Sequence, residues 1–220
     1  MLRAETEESG DPKQTGGPVQ AGNPEQTDEP IKQVIPCGRE TEMITLRTYV
    51  KSDAETITRF VTDERTCYQW SADRYGHFPV TPQDMNMQYA GFETNEDLFP
   101  YTAVDEEQRI VGHLIMRYPK PEDRSVIRFG FVIVDSFLRG KGYGAQMLRE
   151  ALRIAFTKKN AKRVTLGVFQ NNTPAALCYL SVGFHPPLDP DTKKEYTVDI
   201  CKESWICCNL EMTREEFLHE

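Results

Sequence analysis

Beyond residue 42 two kinds of apolar pattern alternate along the chain, and their order predicts the architecture. Short apolar or alternating runs bounded by turn-forming residues predict strands, because an extended chain points successive side chains to opposite faces. Such runs are "MITLRTYV", "FPYTAVD", "RIVGHLIMRY", "SVIRFGFVIV", "RVTLGVF", "YTVDI" and "SWICCNLEM". The polar turn "EEQ" joins the second run to the third, and the loop "PKPEDR" joins the third to the fourth. The second half of "SVIRFGFVIV" is apolar on both faces, as a central strand requires.

Recurrence at three- and four-residue intervals predicts helices. Met147, Leu148, Ala151, Leu152, Ala155 and Phe156 mark the core face of one, and Lys158 and Lys159 put positive charge near its end. Helical material is also expected from Ser52 to Trp70, with Ser52 or Asp53 as N-cap, and near "TPQDM", where Thr81 caps and Pro82 takes the first position. "TPAALCYLSVGF" is a short helix with Thr173 as cap, Pro174 in its first turn and Gly183 at its stop. Residues 1–42 show neither pattern, are rich in Gly, Pro, Gln, Thr and Glu, and precede the first aromatic residue, Tyr49. Such a segment buries too little apolar surface to offset the entropy of ordering it, so a disordered tail is expected ahead of one folded domain, residues 43–220.

Composition narrows the classes. With 39% hydrophobic and 27% charged residues, and no apolar run near the ~20 residues that span a bilayer, the chain reads as a soluble protein without a membrane partner. The opening "MLRAETEESG" lacks a basic flank followed by an apolar stretch, and the six cysteines have no regular spacing, so reduced thiols and a cytoplasmic location are expected. The cysteines and four histidines show no metal-ligand spacing, so no metal is expected. A net charge of −8 argues against a nucleic-acid partner, whose phosphates need a basic face. Locally the balance reverses: Arg139, Lys141, Arg149, Arg153, Lys158, Lys159, Lys162 and Arg163 face the single acid Glu150 in that stretch, which suits either a solvated helix face or an anionic ligand.

The candidate chemistry begins at "RGKGYG", residues 139–144, between a predicted strand and a predicted helix. A strand that opens through glycines into a helix presents unpaired backbone N–H groups, and the helix dipole adds partial positive charge, so the turn suits a phosphate. The pattern G-x-x-x-x-G-K-[ST] is absent, since Asp135 stands where its first glycine belongs and Gly142 takes the hydroxyl position. The dinucleotide pattern is formally met by Gly140, Gly142 and Ala145, but "DSFLR" separates strand from glycines and no acid ends the next strand.

"VIVDSFLRGKGYGAQML" resembles the acyl-coenzyme A loop of the GCN5-related N-acetyltransferases, the GNAT superfamily, with [RQ]-x-x-G-x-[GA] matched by Arg139, Gly142 and Gly144. Downstream, Asn172, Tyr179, Gly183 and Phe184 fall on a second pattern common in that family. The resemblance implies an α+β fold: a mixed, mostly antiparallel sheet, splayed at its centre after the strand that ends at Val134 and flanked by helices. It implies acetyl-CoA as cofactor, with pantetheine held by the backbone of Val132 and Val134 and pyrophosphate held by the amides of Arg139, Gly140, Lys141, Gly142, Tyr143, Gly144 and Ala145. Asn172 would contact the cofactor as well. The implied activity is transfer of acetyl to a primary amine of a small molecule, protein or peptide by a monomer or homodimer; a coenzyme A sensor or scaffold without catalysis would keep the same loop.

Acetyl transfer to an amine needs a neutral nitrogen and a proton for the departing thiolate. Tyr179 is the candidate acid, because a phenol of pKa about 10 is protonated at neutral pH. "RFGFVIV" offers Arg128 and no carboxylate, so the base stays unassigned, with Glu93, Glu203 and His113 as unranked possibilities. Cys178 next to Tyr179 raises an acyl-enzyme route, for which no positioned base is evident. "CYQWSADRYGHFPVT" supplies Tyr68, Trp70, Tyr75, His77 and Phe78 as an aromatic wall for the acceptor, or as a packing cluster.

Overall fold

Strands β1 (Thr45–Thr48), β2 (Leu98–Val104), β3 (Ile110–Arg117), β4 (Val126–Val134), β5 (Arg163–Phe169), β6 (Glu195–Ile200) and β7 (Glu203–Thr213) form one sheet in the order β1-β2-β3-β4-β5-β7-β6. The computed structural model describes residues 43–189 and 192–219, so the expected tail over residues 1–42 lies outside the described residues. Every neighbouring pair is antiparallel except β4 and β5, as the mixed α+β expectation requires.

Helices cover both faces. On one, α4 (Tyr143–Arg153) and the end of α5 (Thr173–Ser181) pack Met147, Leu148, Leu152 and the C-cap residue Val182 against Leu114, Met116, Ile127, Phe129 and Leu166. On the other, α1 (Ala54–Ile57), α2 (Glu64–Ser71) and α3 (Pro82–Gln88) pack Ile57, Trp70, Met85 and Tyr89 against Ile115, Phe131 and Ile133. A last helix, α6 (Arg214–His219), follows β7. No helix among the described residues is long and apolar enough to cross a membrane.

The residues on β4 reveal why the sheet changes character at its centre. Ile127, Phe129, Phe131 and Ile133 are all odd-numbered, so uninterrupted two-residue alternation would put them on one face. The first two instead belong to the α4 side and the last two to the α1–α3 side. Between the pairs His113↔Ile133 and Ile115↔Gly130, β3 advances by two residues and β4 by three, and Phe131 adopts φ 49°. One extra residue in β4 therefore forms a bulge that exchanges its faces.

Three local expectations change. The helical stretch from Ser52 to Trp70 is broken at Val61, whose ψ of 93° is extended, and α2 restarts with Asp63 accepting from the Thr66 N–H at 2.8 Å. Neither Ser52 nor Asp53 acts as N-cap: the Asp53 carboxylate takes the Val50 N–H at 3.0 Å, the Arg47 guanidinium at 2.6 and 2.8 Å, and the Thr102 hydroxyl at 2.7 Å. Helix α4 ends its α geometry at Arg153 and widens into a π turn over Ile154–Lys158, which still buries Ala155 and Phe156. Thr81 caps α3 as expected, and Asp84 completes a capping box: each side chain bonds the other's backbone N–H, at 3.2 and 2.8 Å.

Burial alone would raise the pKa of Asp53, but Arg47, the Val50 N–H and Thr102 outweigh it and hold the carboxyl below its ordinary range. Asp53→Ala should cost about 2 to 3 kcal/mol, the low end for a buried ion pair because the Arg47 side chain stays 37% exposed, measurable by urea unfolding. A folded pKa below the unfolded value of about 3.9 gives stability that is full above that pH and lost as pH falls through the folded value, so the variant and wild-type curves should converge in acid.

Candidate active site

The parallel ladder between β4 and β5 holds only Val126↔Arg163, Ile127↔Val164 and Arg128↔Thr165. Beyond Arg128 the strands part, as expected for a sheet splayed at its centre. The Asp135 N–H donates to the Val111 carbonyl beside β3 at 3.0 Å. Backbone groups alternate between the two edges of a strand, so those of Val134 and Val132 face the open edge. A cleft of about 640 Å³ runs along this edge, with Val132 and Val134 in its floor.

The turn after β4 closes one end. Asp135 accepts from the Phe137 N–H at 3.0 Å and fixes the 3-10 turn Ser136–Leu138. Arg139 then folds back, donating to the Phe60 carbonyl at 3.0 Å and the Val134 carbonyl at 3.4 Å, so its side chain braces the turn against the first helices. Gly140 and Gly142 have φ of 73° and 90°, where an L residue is strained, and a Cβ on either would meet nothing within 4 Å. Gly144 has another reason: a Cβ there would sit 3.1 Å from the Cys178 sulfur, so glycine lets α4 approach α5. The N–H groups of Gly140, Lys141, Gly142, Gly144 and Ala145 donate to no group among the described residues. These donors lie at the start of an 11-residue helix, a place suited to a diphosphate. Arg139, Gly140, Gly142, Gly144 and Ala145 line the cleft, whereas Lys141 and Tyr143 are absent from its wall.

Helix α5 forms the opposite wall. Its cap is Asn172 and not Thr173: the Asn172 side-chain oxygen accepts from the Ala175 N–H at 3.4 Å and its carbonyl from the Ala176 N–H at 3.1 Å. With Pro174 supplying no N–H, the first donors that need a cap are reached from one residue earlier than expected. Asn172 lines the cleft beside Ala175 and Tyr179. Tyr179 is buried with its ring edge-on to Phe184 at 6.3 Å, and its hydroxyl makes no hydrogen bond among the described residues. Burial, then Cys178 and Cys207, push its pKa above the ordinary phenol value. Burial likewise raises the Cys178 thiol, and no imidazole or carboxylate lines this cleft to activate it.

A second cleft of about 510 Å³ opens on the α2–α3 side. Both clefts have Gln69, Trp70, Phe129, Gly130, Phe131 and Gly167 in their walls, so they meet at the splay. Of the expected aromatic wall, Trp70 alone lines it; the indole donates to the Phe131 carbonyl at 2.9 Å and stacks on Tyr75 at 5.5 Å. Tyr68 packs on Trp205, His77 lies near Asp84, and Phe78 joins the packing of the second core. Residues the sequence reasoning missed take their place: Arg74, Arg117, Tyr118, Arg128, Gly167 and Tyr196. Arginines inside the apolar runs "LIMRY" and "VIRFG" were the available signal, since a charge within a buried strand needs a reason.

None of the three possible bases reaches either cleft. Glu93 lies exposed on the turn Phe92–Thr94, and Glu203 accepts from the Trp205 indole at 2.9 Å. His113 is buried against the Tyr89 hydroxyl at 2.9 Å, and burial pushes its pKa down to about 3.

The chain and its fold have counterparts among known proteins. YwnH of Bacillus subtilis, assigned as a phosphinothricin acetyltransferase, is 27% identical over 143 residues, 64% of this chain and 83% of its own length. YokL, an uncharacterised prophage-derived N-acetyltransferase of the same bacterium, is 26% identical over 141 residues, covering 64% and 76%. The structure of spermidine N-acetyltransferase from Vibrio cholerae in complex with CoA and spermine superposes with a TM-score of 0.65 at 16% identity, covering 80% of this chain and 98% of that one. Residues 60–184 match the model of the Acetyltransferase (GNAT) family, a span that takes in the splayed edge, the glycine turn and α5, and on that match the chain belongs to this family.

Proposed function

We propose that this protein transfers an acetyl group from acetyl-CoA to a primary amine by direct attack, with Tyr179 as the acid that protonates the departing sulfur. The observation that carries the reading is the unpartnered hydroxyl of the largely buried Tyr179, in the same cleft wall as the open β4 edge and the glycine turn. Family membership supports acetyl-CoA as the donor, and the free amides of the turn and the open backbone groups of Val132 and Val134 fit its diphosphate and pantetheine. Acetyl-CoA supplies a thioester, whose C–S bond is exchanged for a C–N bond.

The chain's own residues hold, orient and move protons. Backbone donors of the turn fix one end of the cofactor without spending side chains, and Arg139 and Asn172 keep that turn and α5 in place. The nitrogen attacks as the free amine. The sulfur leaves with the proton of Tyr179, and the proton shed by the new amide nitrogen restores the phenol through solvent. No acyl-enzyme is needed, because Cys178 lacks an activating base and its thiol is pushed toward the neutral form. The acceptors in the relatives' names, spermidine and phosphinothricin, differ in charge, so the reading at this level extends to amines of small molecules and of peptides or proteins.

Tyr179→Phe should lower kcat by about 100-fold or more while leaving the melting temperature unchanged, because the lost hydroxyl had no partner in the fold. Free thiol release from acetyl-CoA with a panel of amines measures it; coenzyme A binding without transfer to any amine would identify a sensor instead. A proton held above the ordinary phenol value predicts no alkaline fall in kcat below about pH 10. Gly142→Val, at φ 90°, should weaken coenzyme A binding by about tenfold, seen as a smaller rise in melting temperature on adding the ligand.

A further inference from the structure

The cleft on the α2–α3 side has a one-sided charge. Arg117 and Arg128 stand directly opposite each other on β3 and β4, and Arg74 reaches over the Phe131 ring at 5.7 Å. All three line the cleft. Like charges facing each other across an antiparallel pair repel. Burial, then Arg128 and Arg74, lower the pKa of Arg117, so the repulsion is felt in a partly desolvated place.

Among the described residues no carboxylate lies within ion-pair distance of Arg74, Arg117 or Arg128. Neutral groups hold two of them: Arg128 donates to Asn209 at 3.2 Å and to the Tyr196 hydroxyl at 3.4 Å, and Arg74 donates to the Ser71 carbonyl at 2.9 Å. Asp97, the one carboxylate in the cleft wall, is engaged by Arg124 at 2.9 Å. Space has also been cleared for the charge. A Cβ on Gly167 of β5 would lie 2.7 Å from the Arg128 guanidinium and 2.9 Å from the Cys207 sulfur. The guanidinium thus reaches across the splay where the two clefts meet.

We propose that the acceptor is a small primary amine that also carries an anionic oxygen group, a carboxylate or a phosphorus oxyanion, bound by Arg117 and Arg128 with Arg74 at the rim. Its amine then projects past Gly130 and Gly167 toward the acyl cleft, whose wall contains the same two glycines. Guanidinium forks match planar and tetrahedral oxyanions through paired hydrogen bonds. A bound anion also supplies the charge that the Arg117–Arg128 pair lacks. The inference rests on the acetyl-transfer reading for the identity of the acceptor, but the anion site can be measured apart from turnover.

Two measurements test it. With coenzyme A saturating, so that the glycine turn is filled, inorganic phosphate and glutarate should each be tried as stabilising anions on the wild-type protein and on Arg117→Met. The wild type should gain melting temperature with at least one of them and Arg117→Met should gain less, while the variant alone should melt no lower than wild type because a repulsive charge is gone. An identical anion response in both proteins overturns the site. Thiol release is then compared for amino acids against their amides, 2-aminoethylphosphonate against ethanolamine, and spermidine. An anionic amine should lead, its carboxylate or phosphonate source shown by which pair splits, and Arg117→Met should raise its KM on the order of 10- to 100-fold, with partial rescue by Arg117→Lys. Equal use of charged and neutral partners, or preference for spermidine, overturns the acceptor class. Silence with every amine sinks the transfer reading instead and leaves the anion comparison to decide the chemistry of the cleft.

Discussion

A backbone group that leaves a β-ladder inside a protein must find another partner, and here the ladder that ends early is the one between β4 and β5. Three paired positions hold the strands together, and beyond Arg128 they diverge through the middle of the sheet. Both clefts border that divergence, sharing Phe129, Gly130, Phe131 and Gly167. The fold recovers part of what the splay exposes: the Phe131 carbonyl is taken by the Trp70 indole, and the Val134 carbonyl is approached by Arg139. The edge at Val132 and Val134 stays open, and under the proposed function it is where pantetheine, a ligand that offers amides in return, would pair. The bulge at Phe131 belongs to the same solution. By exchanging the faces of β4 it lets Phe129 serve the core under α4 and Phe131 serve the core under α2, on either side of the gap.

The three glycines of the turn show how one short motif gathers unlike constraints. Gly140 and Gly142 are set by backbone angle, with open space where a side chain would be. Gly144 is set by contact with Cys178, so it serves helix packing as much as any ligand. The turn keeps its shape through groups outside it, Asp135 on one side and Arg139 reaching the Phe60 carbonyl on the other. Amides presented in this way need no reorganisation when an anion arrives, which is the condition for a backbone site to bind well.

What the chain discloses before folding follows from how local each cause is. The strands, the amphipathic face of α4, the Thr81 cap and the glycine turn depend on residues adjacent in sequence, and periodicity or turn chemistry reveals them. The break at Val61 was not expected within the stretch from Ser52 to Trp70, and the cap of α5 falls on Asn172, one residue before the expected Thr173, where Asn and Thr compete to cap and only the packed helix decides. The bulge at Phe131 is hidden because "RFGFVIV" alternates perfectly well without it, and only pairing with β3 shows the extra residue. Arg117 and Arg128 sit eleven positions apart in sequence and become a pair through register alone. Their strand-interior location was visible, but their partnership was not. The aromatic stretch misled for the same reason: Tyr68, His77 and Phe78 share composition with a pocket wall, yet the turn after α2 sends each to a different neighbour.

Net charge is a poor guide to the charge at a site. This chain carries −8 overall, which taken by itself suggests attraction for cationic amines. At the cleft the sign is reversed by three guanidinia that no carboxylate among the described residues pairs with, and under the proposed reading this local field would govern the bound acceptor. That field also bears on the absence of a base, because Glu93, Glu203 and His113 all lie outside the clefts. An ammonium beside unneutralised guanidinia is disfavoured relative to the neutral amine, since like charge lowers the pKa of a cationic acid. An anionic group on the acceptor would anchor the molecule at the arginines while the amine, farther along the cleft, still feels their excess charge and gives its proton to water. Positive charge placed by β-sheet register can in this way stand in for a general base, lowering the proton affinity of the nucleophile instead of accepting its proton.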